Sequence, residues 1–499
     1  MSEHFISRTD AESDLTSAAA YLAERVTSVD GHAEAMSAVV PLYLQKENVD
    51  LAAELANTVD DPYTRDRLLI LVAEKCAEMS DDEYAMQLAD AVEDEGLRSR
   101  GFERVALLQA ARGDFDSAHK ISDKMMHSDS VLAGIAIQQA AKGLESAAIE
   151  TIGEIGFPGA AVTAYHEMAS ESMQHDNAER AVAYLERAVE RANDIEHDEE
   201  KARALCDIGN AFIEAGRNDR AVETFDKAKA TAEAIEGMHR DGFLALAALG
   251  FLHAGSLEFA DRTLDLVVDK TQIASCLLGY SREFWRKDEH DEAIESLEES
   301  LAILESQHER ETRDSRARFR LFTQIAAQFA GFEKGERAIE IAEKIKDEAE
   351  RIAALSQVAA ILTLRKEDEQ ARHAYRAIEG DGDRVFALIG MSDAKDKNGD
   401  RDGAIELLTE AAALAETVPQ LTFRASGYAE IARRLMAHGE ESRATETFRN
   451  ALDTIAQIRD SSAQASSLAS LAQIAAEKEF VLDGSLKPVL QTLTARAGQ

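Results

Sequence analysis

Residues Lys201–Ile235, KARALCDIGNAFIEAGRNDRAVETFDKAKATAEAI, decide the architecture. Leu205, Ile208, Gly209 and Phe212 recur at three- and four-residue intervals, and so do Ala221, Phe225 and Ala228. That spacing puts each set on one face of a helix. Between the two helices, Gly216 supplies a stop, and Asn218 or Asp219 can cap the amides of the second. Neither apolar stripe is wide enough for an isolated helix in water, so each helix needs a partner surface.

The partner is more of the same pattern. An alanine five residues after the inter-helix turn recurs as Ala53, Ala85, Ala118, Ala148, Ala181, Ala221, Ala260, Ala293, Ala338, Ala371, Ala404 and Ala444. The intervals are 32, 33, 30, 33, 40, 39, 33, 45, 33, 33 and 40 residues. Twelve residues earlier stands a second small residue, such as Ala73, Gly209, Ser281 or Ala432. Small residues at both places allow two helices to cross closely. Pro41 breaks the series, so the first leading helix is expected to begin or kink there. The long intervals predict extra turns on the helices that follow Ala181, Ala221 and Ala293, the last continuing into the polar stretch HERETRDSRAR.

The small-small-aromatic-Ala-Phe-Ala skeleton resembles the tetratricopeptide repeat family. It is fullest at Gly209, Phe212, Ala221, Phe225 and Ala228, at Ala432, Leu435, Ala444, Phe448 and Ala451, and at Ala248, Phe251, Ala260 and Leu264. The resemblance implies an all-α, right-handed superhelical solenoid of antiparallel helix pairs. Residues 1–30 read as an N-terminal tail and capping helix, the helix starting at Ser13. Residues 31–460 read as about twelve continuous repeats, and 461–499 as C-terminal capping helices, polar outward because nothing stacks on a terminal unit. No linker rich in Gly, Ser or Pro interrupts the series.

Composition agrees with helices and narrows the partners. Five prolines in 499 residues leave long helices free to form. Asp and Glu number 94 against 55 Lys and Arg, a net charge of -39. Such a field repels nucleic-acid phosphates and anionic membrane surfaces. Abundant acids with Arg outnumbering Lys resemble the proteins of salt-loving organisms; an ordinary scaffold with an acidic surface reads the same way. No apolar run is long enough to span a membrane, and the N-terminus has acids where a secretory signal needs a basic start. Cys76, Cys206 and Cys276 have no companions at metal-ligand spacing, and this usage suits a reducing, cytoplasmic setting.

No motif for catalysis, a cofactor or a metal emerges. DKNGDRD places Asp396, Asn398, Asp400 and Asp402 at alternate positions, but its Gly and its twelfth residue, Leu407, do not fit a calcium loop. Helix stop and cap residues explain it. The run Glu196–Glu200 reads as the acidic first turn of a helix. The chain is thus expected not to be an enzyme.

Family members mostly bind partner peptides or helices, and in such stacks the first helices line the concave face. The slots expected to point into it lie 18, 15, 11, 8 and 7 residues before each alanine marker. They give Arg203, Cys206, Asn210, Ile213 and Glu214, then Gly242, Ala245, Leu249, Leu252 and His253, then Ser275, Leu278, Arg282, Trp285 and Arg286. Of these, Arg203, Asn210, Leu249, Leu252, His253, Arg282, Trp285 and Arg286 are the candidate partner-binding residues. Trp285 either anchors a partner or fills a packing hole, with Arg282 and Arg286 as ion-pair partners of Glu283 and Glu289. The expected function is a non-catalytic protein-interaction scaffold. A self-assembling solenoid and a regulatory protein acting through a partner are the alternatives.

Overall fold

The computed structural model describes residues 4–306, 315–478 and 487–497, and among these every regular element is a helix. Residues 308–314 of the polar stretch after Ala293, and 479–486 of the expected C-terminal cap, lie outside the described residues. Two helices come first, α1 (Arg8–Ala11) and α2 (Leu15–Ala23). Six pairs follow: α3 (Val29–Gln45) with α4 (Val49–Asn57), α5 (Pro62–Glu78) with α6 (Asp82–Ala91), α7 (Glu95–Arg112) with α8 (Phe115–Ser122), α9 (Asp129–Ala141) with α10 (Glu145–Glu154), α11 (Pro158–Gln174) with α12 (Ala178–Ala192), and α13 (Asp198–Glu214) with α14 (Asn218–Ala234). Six more are α15 (Arg240–His253) with α16 (Leu257–Leu264), α17 (Lys270–Arg286) with α18 (His290–Ser306), α19 (Ser315–Gly331) with α20 (Gly335–Glu343), α21 (Glu348–Leu364) with α22 (Asp368–Arg376), α23 (Asp381–Lys397) with α24 (Arg401–Ala415), and α25 (Leu421–Ala437) with α26 (Glu441–Ile455). The chain ends with α27 (Ser461–Glu477) and α28 (Lys487–Ala497). The architecture is all-α, built of antiparallel helix pairs.

Each pair is closed by one residue of positive φ immediately before the cap of the second helix. At Gly216, φ is 70°, the Gly216 amide donates to Ile213 and the Arg217 amide to Phe212, so the last carbonyls of α13 find donors. Six turns use glycine there; Glu47, Ser80, Asp176, Asp288, Glu333 and Lys366 fill the others. The helix then starts on a cap, commonly a carboxylate or amide: Asp81, Asp114, Asn177 and Asp400 each accept a backbone N–H from the first turn. Asp400, Asn398 and Gly399 are thereby part of an ordinary helix turn.

The marker alanine lies four residues after the cap and is sealed from solvent. Ala85, Ala118, Ala148, Ala181, Ala221, Ala260, Ala293, Ala338, Ala371, Ala404 and Ala444 all show 0% exposure. The first pair corrects the sequence reading. Its turn residue is Glu47 and its cap Asn48, so the marker is Ala52 rather than Ala53, and the slot twelve residues earlier is the buried Val40. Pro41 is one step off the slot, half-buried inside a helix that runs unbroken from Val29 to Gln45.

Extra turns account for the long intervals. The second helices α12, α14, α18 and α24 have 15, 17, 17 and 15 residues, whereas α10, α16, α20 and α22 have 10, 8, 9 and 9. Where the second helix is short, a carboxylate at the start of the first helix can hold the next connection. Asp66 accepts from the amides of Glu93 and Asp94, Asp129 from Gly156 and Phe157, and Asp241 from Val268 and Asp269. All three stand nineteen residues before their markers, a regularity the alanine series did not reveal.

The chain divides into two compact units, one of residues 1–105, 342–344 and 351–499, the other of 106–341 and 345–350. In the second unit, α9, α11, α13, α15, α17 and α19 pack successively side by side, with the second helices joining one first helix to the next. In the first, the terminal helices pack on one another. Helix α27 packs on α25, α2 and α3, and α28 packs on α2 and α1. The N-terminal segment is also ordered against the fold: Ile6 is buried, and the amides of Phe5 and Ile6 donate to the Glu24 carboxylate. The cap of α2 is Asp14, not Ser13.

Packing around Phe225 is tight. Its ring lies against Gly209 of α13, where an added Cβ would stand 2.7 Å from it, and against Gly250 of α15, where the overlap would be worse. Phe251 meets the same ring at a 5.8 Å centroid distance. A ring bounded on both sides cannot step aside. Replacing Gly250 by Ala is therefore expected to cost about 1–3 kcal/mol through overpacking. Urea unfolding of the whole chain checks this, and an unchanged midpoint would contradict the packing.

Candidate functional site

All eight candidate residues lie on α13, α15 and α17, neighbouring first helices of one unit. Contacts between these helices fix their register. The Arg203 guanidinium stands 5.6 Å from the Phe243 ring centroid, and a Cβ on Gly279 would meet Leu249 Cδ1 at 2.8 Å, so Leu249 lies across that glycine.

Exposure follows a narrower stripe than the sequence reading gave. Solvent-facing or half-buried positions fall 18, 14, 11 and 7 residues before the marker: Arg203, Asp207, Asn210 and Glu214 on α13; Gly242, Leu246, Leu249 and His253 on α15; Ser275, Gly279, Arg282 and Arg286 on α17. The slot fifteen residues before the marker is core, holding Cys206 at 3%, Ala245 at 7% and Leu278 at 2% exposure. Leu252, at 1%, is also core and cannot line a surface. The reason is angular. At 3.6 residues per turn, a step of four stays about 40° from the reference line on one side, whereas a step of three swings about 60° to the other. That other side faces the second-helix layer. Asp207, Leu246 and Gly279 are what the sequence reading missed, and the i, i+4, i+7, i+11 stripe was the signal for them.

Trp285 is a packing residue. It is half-buried, stacked on Phe332 at a 3.9 Å centroid distance and 11° between planes, with the His290 ring at 4.2 Å. Arg286 forks onto Glu283 with bonds of 2.9 and 2.6 Å, and Lys287 reaches the same carboxylate at 3.2 Å. Arg282 does not pair with Glu289; its Nε donates to Gln328 of α19 at 3.1 Å. Arg203, Asn210 and Arg282 remain exposed.

Charge around this stripe is ordered by burial. Glu283 is only 4% exposed; burial pushes its carboxyl up, but the bonds from Arg286 and Lys287 prevail and hold it below the usual range. Burial pushes the neighbouring His253 imidazole down, partly opposed by Glu283 and reinforced by Arg286 and Lys287. Burial also pushes the thiols of Cys206 and Cys276 up to about 12, which leaves them without nucleophilic character. Among the described residues no group of His, Cys, Asp or Glu could hold a metal ion, and no helix is long and apolar enough to cross a membrane.

With that geometry, the comparison of sequences has one outcome. Residues 202–234 match the tetratricopeptide repeat family. The match falls on α13 and α14, the hairpin built around Gly209 and Phe225. No curated protein sequence matches the chain. Among solved structures, similarity extends to Ton1535 from Thermococcus onnurineus NA1, at 15% identity over 81% of this chain and 98% of that one, with a TM-score of 0.25. The human IFIT1 dimer with PPP-AAAA is similar at 13% identity over 83% and 98%, TM-score 0.30. The apo quorum sensor NprR from B. thuringiensis is similar at 12% identity over 64% and 99%, TM-score 0.27. These scores are too low to bear on this chain's shape or partners, and the helical-pair fold rests on its own repeats.

The depressed His253 gives a prediction with a definite sign. The unfolded imidazole, near 6.5, binds its proton more readily than the folded one. Stability from this residue is complete above the unfolded value and is lost as pH falls through the lower folded value. Replacing His253 by Gln should flatten the fall in melting temperature between about pH 7 and pH 5. A variant with the same or a steeper fall would contradict the assignment.

Proposed function

We propose that this protein is a non-catalytic interaction scaffold, and that a segment of a partner protein docks on the exposed stripe of α13, α15 and α17. The observation that supports it most is the juxtaposition at the stripe's centre. Leu246 is 49% exposed, beside the half-buried Leu249 and the side-chain-free positions Gly242 and Gly279. Arg203 on one neighbouring helix and Arg282 on the other flank this apolar patch. In a chain of net charge -39, such a spot selects an acidic segment carrying an apolar anchor. Gly242 lets the partner's backbone approach, Leu246 and Leu249 take the anchor, and the arginines set its direction and register. The binding reading no longer uses Leu252 or Trp285, whose packing roles are sufficient. The overall field disfavours a nucleic-acid ligand.

The test compares wild type with Leu246→Asp and Arg282→Glu as bait in extracts of the native cells, with the melting temperature of each bait measured. The proposal expects the same partner on wild type, its loss from both variants, and little change in melting. Retention by both variants at unchanged stability, or no partner on wild type, would contradict it.

A further inference from the structure

The terminal helices contain a relation that the order of the chain conceals. In each pair whose cap is defined, the second helix carries alanine four residues after the cap and, in the fuller copies, a large apolar residue eight after it. Examples are Asn177, Ala181 and Leu185, and Asp400, Ala404 and Leu408. Helix α2 repeats the pattern with Asp14, Ala18 and Leu22, the last two at 0% and 3% exposure. It is a second helix by sequence, yet among the described residues only the four-residue α1 precedes it. Helix α27 is the converse. It has the first-helix slots, with Leu468, Leu471 and Ala472 buried as Leu205, Ile208 and Gly209 are on α13. Among the described residues no second helix of that pattern follows it.

We infer that α27 and α2 are the two halves of one hairpin, a repeat assembled from opposite ends of the chain, which latches the two segments of its unit together. The packing matches in each direction. Helix α27 lies on α25 before it and α3 after it, as successive first helices do, and α2 packs on α27 and on the next first helix, α3. The N-terminal turns of α27 and α3 stand side by side: Ser462 Oγ is 3.1 Å from Glu34 Oε2, and a Cβ on Gly31 would lie 3.1 Å from Ser462 Cβ. The stack of this unit therefore runs α21–α22, α23–α24, α25–α26, α27–α2, α3–α4, α5–α6.

Helix α2 is composed for this place and not for a capping role. It contains no charged residue, and eight of its nine residues are buried. A cap needs a polar outer face; here α28 covers that side with Leu490 and Leu493, each 1% exposed. Cohesion between residues more than 420 apart thus depends on a short helix near the N-terminus. Opening α2 leaves α27 without the helix it packs on most extensively, so the two ends loosen together.

The test uses the full-length chain with Ala18→Glu, which places a charge in the sealed slot of α2. Hydrogen exchange is expected to quicken by roughly tenfold or more in α27 and α2 while α13 and α14 keep their rates. Unchanged protection in α27 would overturn the latch. Should that variant fail to fold, Glu34→Cys with Ser461→Cys, both exposed positions on the adjoining N-terminal turns, supplies the second reading in the otherwise intact protein, since the three native thiols are buried. A short bis-maleimide is expected to join the pair within one molecule under native conditions. Absence of that intramolecular product would equally overturn it.

Discussion

The close crossing of paired helices at small residues is the constraint on which everything else depends. A sealed alanine on the second helix and a small residue on the first bring backbones near enough for large side chains to interlock around them. Phe225, held between Gly209 and Gly250, shows the consequence: one ring ties its own hairpin to the next. Because the same crossing recurs, the core grows by stacking, and a 499-residue chain with little aromatic content still buries a continuous apolar layer within each unit.

The crossings were legible in the sequence because they are local and periodic. Eleven of the twelve alanines sit where the spacing placed them, and the extra residues after Ala181, Ala221 and Ala293 lengthen second helices. The slip at Ala53 came from adjacent alanines, which spacing alone cannot separate; the cap Asn48 and the positive φ of Glu47 decide for Ala52. Surface positions were harder. Slots 14 and 15 residues before the marker differ by one step of the helix, and which of them is core depends on where the second-helix layer lies. That is a tertiary fact, and it moved Cys206, Ala245 and Leu278 inward and Asp207, Leu246 and Gly279 outward. Trp285 shows another limit: its stacking partner, Phe332, stands 47 residues on, in the turn after α19. The pairing of α27 with α2 was still less accessible, because the halves of that hairpin lie at opposite ends of the sequence.

The acidic surface and the exposed stripe of α13, α15 and α17 differ in how charge is arranged. Cross-repeat pairs such as Arg337 with Glu298 and Arg434 with Asp393 place arginines among the carboxylates and limit self-repulsion. The stripe of α13, α15 and α17 differs because Arg203 and Arg282 flank exposed apolar surface there. The selectivity proposed for the stripe rests on that contrast with the rest of the chain.

Cysteine accessibility tests the central claim, that position within the repeat decides whether a side chain is core or surface. All three native thiols are buried, so an introduced cysteine can be followed against a silent background. The account predicts that Asn210→Cys, on the exposed stripe, gains one rapidly maleimide-labelled thiol in the native protein. Ala248→Cys, in the sealed slot on the neighbouring first helix, should label only on unfolding. Equal native labelling rates at the two positions would contradict the account.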